Sequence, residues 1–274
     1  MPAIACDIIA EVEGAVRGGS PARRVEMLRQ VAGLFLSDAA RLNERQVGIF
    51  DEVMLCLLEQ VEAHSLAQLS MLLADAPSAP RQVTRRLACH EEASVAAPVL
   101  QHSPTLPEAD LIEIAGYATQ QHLLAIAGRG SLGTALTDAL LMRADTNACR
   151  TLAANPGARF SDPGYATLAA RAERDDAIAE SLARRPDTPA VVLDHLLGRV
   201  TKPVRDRLLA LAPAPARPAM LASIQRIEAE ARSRPRPAVD YSEAKSMVVT
   251  LNKEGKVADS AVNRFAVHQG QKKL

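Results

Sequence analysis

Leu152-Ala153-Ala154-Asn155-Pro156 is one of four copies of the phrase Leu-Ala-x-x-Pro. The others are Leu73-Ala74…Pro77, Leu182-Ala183…Pro186 and Leu209-Ala210…Pro213. Two weaker copies, Leu100-Gln101…Pro104 and Ile126-Ala127…Gly130, fill the gap between them. The anchors at 77, 104, 130, 156, 186 and 213 are 27, 26, 26, 30 and 27 residues apart. A period of that size marks stacked repeats, each too short to bury its own apolar face and each completed by its neighbours.

The chemistry of the phrase assigns it to a helix end. Leucine points into the seam between units, alanine lets backbones approach closely, and proline stops the helix because it lacks an N–H and clashes with the preceding turn. A second proline or glycine follows three residues later at Pro80, Pro107, Gly133 and Pro189. Apolar residues six and ten positions past the anchor (Val83 and Leu87, Leu136 and Leu140, Val192 and Leu196) mark the first helix of a unit. The second unit is less regular: Asp110 falls where an apolar residue is expected and Leu111 takes over, while Ile114 fits. Turns rich in acids, Asn or Thr (Glu91-Glu92, Asp145-Thr146-Asn147, Asp175-Asp176) lead to the second helix, where acids cap and favour its N-terminus. The 30-residue step places an insertion around Phe160–Gly164, read as a longer loop. The expected fold is therefore all-α, an α-solenoid with a period of about 27.

Three regions follow: an N-terminal helical region at 1–76, the repeat array at 77–213, and a C-terminal helix and helical hairpin at 214–274. In the first, Ser20 with Pro21 opens a helix to about Leu36. Asn43 with Gln46 forms a capping box. The stripe Val47, Phe50, Val53/Met54, Leu57/Leu58, Val61 continues that helix. Unbroken to Ala74 it is about 48 Å long at 1.5 Å per residue. In the third region a charged helix at 218–233 precedes a linker, Arg234-Pro235-Arg236-Pro237. The hairpin spans 240–270, with Met247, Val248 and Leu251 on one arm and Val257, Val262, Phe265 and Val267 on the other.

Composition narrows the function classes. Among 274 residues, Trp is absent and aromatics are 3%, so the core is Ala, Leu, Val and Ile and sheets are disfavoured. Cys6, Cys56, Cys89 and Cys149 stand singly and read as reduced, buried thiols of a cytoplasmic protein. No apolar run reaches membrane-spanning length, and the start at Met1–Cys6 lacks the basic and apolar stretches of a signal peptide. Net charge is −5 over 1–76, zero over 77–213 and +5 over 214–274. The array is not a basic cradle for nucleic acid.

Several phrases resemble a known family. They are Arg23-Arg24-Val25-Glu26-Met27-Leu28-Arg29, Leu42…Gln46-Val47…Phe50-Asp51, and Val95-Ala96-Ala97-Pro98-Val99-Leu100…Ser103-Pro104. His122-Leu123-Leu124-Ala125-Ile126-Ala127-Gly128-Arg129 and Thr151-Leu152-Ala153-Ala154-Asn155 also belong to the set. Over about residues 20–270 the chain is similar to a bacterial family known only as domain of unknown function 2336. The resemblance implies an alphaproteobacterial protein of HEAT-like helical repeats and implies no activity.

Motifs of catalysis are weighed residue by residue. Gly128-Arg129-Gly130-Ser131-Leu132-Gly133 fits the dinucleotide pattern GxGxxG, but it follows a repeat helix and no second strand is visible, so an inter-repeat turn is expected. The histidines His64, His90, His102, His122, His195 and His268 include no i, i+4 pair, so no metal is expected. Cys89-His90 is a poor catalytic pair because neighbours on a helix point about 100° apart. His102 and His122 lie near repeat junctions, where hydrogen bonding is expected. Ser242-Glu243-Ala244-Lys245 reads as a helix start and Asp51-Glu52 as a solvated face.

The expectation is a cytoplasmic adaptor without catalysis or cofactor, holding an unidentified protein or peptide partner. The candidate binding surface is Arg81, Arg85, Arg86, Arg129, Arg159, Arg184 and Arg185. A nucleic-acid binder or repair-type enzyme is the alternative, with those arginines on phosphates. A third reading places an enzyme site at the insertion, from Asn155, Arg159, Asp162 and Tyr165.

Overall fold

Proline and its neighbours divide the chain into short helices, and the period pairs them. A computed structural model describes Gly14, residues 20–59 and residues 61–233. Fourteen helices form among the described residues, with no strand beyond one isolated bridge. The N-terminal three are α1 (Pro21–Asp38), α2 (Glu44–Leu58) and α3 (Ala63–Ala74). Five pairs follow: α4 (Arg81–Ala88) with α5 (Ala93–His102), α6 (Glu108–Tyr117) with α7 (Gln120–Ala127), and α8 (Thr134–Arg143) with α9 (Thr146–Ala154). The last two are α10 (Asp162–Ala172) with α11 (Asp176–Arg184), and α12 (Ala190–Arg199) with α13 (Lys202–Leu211). Helix α14 is Arg217–Ser233. The chain divides into two compact units at 225/226. The linker at 234–237, the hairpin at 240–270 and Ser242 lie outside the described residues.

Two rows result. Second helices α3, α5, α7, α9, α11 and α13 touch in succession. First helices α6, α8, α10 and α12 do likewise, and α2 touches α4. The core is the seam between the rows. Leu73, Leu100, Ile126, Leu152 and Leu182 of the phrase are fully buried, as are Ala127, Ala153 and Ala183. In the last copy Leu209 is only half-buried and Ala210 is exposed, while Leu208 takes the core position. This α13 is the last helix of its row among the described residues.

Helix starts follow local chemistry. Pro80, Pro107, Gly133 and Pro189 are the N-cap residues of α4, α6, α8 and α12. Asn43 and Gln46 exchange both capping-box bonds at 3.0 Å. Asp145 accepts from Ala148 N, and Asp175 from Ala177 N and Ile178 N. Glu92 sits at the N-cap of α5 without a side-chain bond to the backbone of the first turn.

Three expectations are corrected. The long N-terminal helix breaks between Leu58 and Ala63. No Pro or Gly marks the break; the two halves pack differently, α2 on α1 and α4, and α3 on α5. Asp51 is buried rather than solvated. Its carboxylate accepts from Gln82 N and Val83 N at 2.9 and 2.8 Å, capping α4, whose own N-cap residue is a proline without a capping side chain. Cys56 and Cys89 are exposed thiols; only Cys149 is buried among the described cysteines. Cys56 lies on α2 and Cys89 is the C-cap residue of α4.

Candidate functional site

The residue just before each of the anchors at 130, 156 and 186 crosses to the preceding unit. Arg129 donates from its two terminal nitrogens to the carbonyls of Leu100 and Ser103, at 2.5 and 2.7 Å. Asn155 donates to Ala127 O and Arg129 O at 2.8 and 2.6 Å, and its oxygen accepts from Gly157 N. Arg185 donates to Asn155 O and Ala158 O at 2.5 and 2.6 Å. The first-helix row repeats the device: Arg143 reaches Ala115 O, and Arg171 reaches Leu141 O and Ala144 O. Carbonyls at a helix C-terminus have no partner within the helix, so these cations both satisfy them and complement the helix dipole.

The insertion in the fourth unit elaborates one junction. Leu132 N donates to Gly157 O and Arg159 N to Leu132 O, both at 3.0 Å, which makes a short parallel bridge. Gly157 is required there, because a Cβ would stand 1.9 Å from Gly130 O. Two of the array's few aromatics pack beneath: the Phe160 and Tyr165 rings meet edge to face, and the Arg185 guanidinium lies 4.9 Å over Phe160. The Tyr165 hydroxyl donates to Asp187 O. Burial pushes that hydroxyl's pKa up.

Against this braced turn lies an open groove of about 650 Å³. Its lining includes the small residues Ala153, Ala154, Gly157 and Ser181 and the prolines Pro156 and Pro186. Arg159, Arg184 and Arg185 line it with Asp187 and Ser131. Arg185 is held by Asp187 at 2.7 Å. Burial pushes the Asp187 carboxyl up, but the hydrogen bonds and charge of Arg185, together with Tyr165, outweigh it and leave that carboxyl below its ordinary value. Arg184 is exposed and meets Glu180 at 3.2 Å, a carboxylate it shares with Arg207. Arg159 is exposed and its guanidinium makes no ion pair among the described residues.

The seven candidate arginines thus divide. Arg159, Arg184 and Arg185 come together at the groove. Arg129 belongs to the α5–α7 junction. Arg81, Arg85 and Arg86 sit on α4, away from the groove lining, and Arg85 is engaged by Asp110 and Glu113 of α6. Of the insertion residues, Asn155 and Tyr165 brace the turn and Asp162 opens α10. Sequence reasoning does not single out Ser181 or Asp187. The only local signal for Asp187 is its place two residues after Arg185, next to Pro186.

The other motifs resolve into structure. Gly128–Gly133 is the turn between α7 and α8. His122 is buried, with Nε2 against His90 O at 2.9 Å and Nδ1 against Thr119 Oγ1 at 2.7 Å. A carbonyl only accepts, so Nε2 carries the proton. A smaller pocket of about 190 Å³ adjoins it, lined by Cys89 and Tyr117 among others. There the Tyr117 hydroxyl is pushed up to about 12, chiefly by its hydrogen bond with Cys89 and then by burial. No cluster of three or more His, Cys, Asp or Glu stands ready for a metal among the described residues. No helix there is long and apolar enough to cross a membrane.

A family model described as an uncharacterised protein conserved in bacteria (DUF2336) matches residues 95–273. The chain belongs to that family. The match begins inside α5 and includes the whole groove, whereas the phrases at 23–29 and 42–51 fall before it. No curated protein and no solved structure matches the chain.

Proposed function

We propose that this protein is a helical-repeat scaffold of the α-solenoid kind that holds a protein or peptide partner in the cytoplasm without catalysis. The groove beside the fourth unit is its seat. The observation that carries this reading is the braced insertion: one unit departs from the period, and its extra residues build the wall of an open groove with Arg159 and Arg184 facing solvent. Its volume falls in the range of ligand-binding clefts. The lining offers binding groups, Ser181 Oγ donates to Ala177 O, and no histidine lines the groove. Binding by repeat stacks in general is analogy at the level of fold.

The test is capture from host lysate at low and high salt with the wild type and with Arg159→Glu/Arg184→Glu, both verified as folded by circular dichroism. The expected result is a protein retained by the wild type at high salt and lost by the variant. Equal retention by both removes the groove from the reading. Retention of nucleic acid alone, lost at high salt, replaces the reading with nucleic-acid binding.

A further inference from the structure

We infer that the occupant of this groove is an extended, acidic segment of a partner protein, recognised through its carboxylates by Arg159 and Arg184. The inference rests on the scaffold reading above and specifies its partner.

Charge complementarity is the first argument. Three guanidiniums and one carboxylate line the groove. Arg185 and Asp187 satisfy one another, and Arg185 is further held by two carbonyls. Glu180 offsets Arg184 but is divided between Arg184 and Arg207. The groove therefore keeps an excess of positive charge in an array whose net charge is zero. Arginine's planar fork matches a carboxylate in two parallel hydrogen bonds, and an exposed guanidinium reorganises little to make them.

The shape of the lining is the second argument. The small side chains of Ala153, Ala154 and Gly157 in the lining leave room for a chain to approach closely. Pro156 and Pro186 add apolar surface to the same lining. Nucleic acid needs a run of cations along its backbone, whereas here the neighbouring arginines Arg129, Arg143, Arg171 and Arg185 are engaged with carbonyls. The occupant that fits two exposed arginines beside a small-residue lining is a peptide carrying Asp or Glu.

The experiment is selection of a random short-peptide display library on the wild type, with counter-selection on Arg159→Gln/Arg184→Gln. Enriched sequences are then synthesised with a fluorescein label for anisotropy titration. Enrichment in Asp and Glu is expected, with binding about tenfold or more weaker to the double variant, as for loss of a charge-assisted pair. Arg81→Gln/Arg86→Gln, which removes two exposed arginines elsewhere, is expected to bind like the wild type. Neutral or basic sequences overturn the acidic class while leaving a peptide seat. Equal weakening by the Arg81/Arg86 variant overturns the site, since the attraction is then diffuse. No enrichment at all overturns the inference; the scaffold reading then stands or falls on the lysate capture alone.

Discussion

Arginines cross several junctions of the array, and Arg85 and Arg185 do different work at theirs. At α4–α6, Arg85 meets Asp110 at 3.6 Å and Glu113 at 2.9 Å with nearly half of its side chain in water. At α9–α11, Arg185 is 7% exposed and closes the C-terminal carbonyls of the preceding unit. The residue type is the same and the sequence separations are similar, 28 and 30. In water the ion pair is screened and costs side-chain entropy to hold. Over Phe160 the same cation satisfies part-buried and buried carbonyls, and removing it leaves them without a donor. The junction that carries the groove is thus held by a buried cation, and the α4–α6 junction by an exposed one.

The largest effect that would break this comparison is expected from Arg185→Ala. The two carbonyls lose their donor and Asp187 its partner, so urea unfolding should show a loss of about 3 kcal/mol. A loss no greater than that of Arg85→Ala would refute the contrast. Next comes Gly157→Ala, where the added Cβ meets the Gly130 carbonyl and the bridge must shift. A loss of about 2 kcal/mol is expected. Gly130→Ala, with open space around its Cβ, sharpens the point by leaving the melt unchanged.

Thiol labelling compares the same two regions without mutation. Cys149, buried beside Arg171, has its pKa pushed up by burial and should resist maleimide until the protein unfolds. Cys89, exposed near the α4–α6 junction, should label in the native state. Rapid native labelling of Cys149 would show that the α9–α11 region opens locally.

Acid titration gives a smaller effect. The Asp187 pKa is lowered in the folded state, so its contribution is present above the unfolded value and is lost as pH falls through the folded one. The expected signature is a shallow fall in stability below about pH 4, absent in Asp187→Asn. A fall of the same size in the variant would assign it elsewhere. Smallest of all is Arg85→Ala, for which no resolvable change in the urea midpoint is expected. A clear loss there would place Arg85 in the same class as Arg185.

The candidate site was legible only in part. The broken 30-residue step points to the insertion, and the paired arginines at 184 and 185 stand out in the sequence. Their opposite fates do not: Arg184 faces the groove while Arg185 turns under it, because neighbours on the chain end on different sides of a helix terminus. Arg129 reads as a surface cation and is an inter-unit bracket. Asp51 reads as solvated and caps a helix 31 residues away.

What the sequence alone determined is what depends on a few neighbouring residues: the all-helical class, the pairing of helices between proline anchors, the Asn43–Gln46 box and the caps at Asp145 and Asp175. Propensity, capping and hydrophobic period act within about one turn, so they are written locally. Only the tertiary structure decided the break at Glu59–Glu62, the slip to Leu208, and which polar residues cross from unit to unit. Those bonds join residues one repeat apart, 26 to 30 positions along the chain. The period shows that units stack, but the rotation of each helix in the stack selects the side chain that reaches across.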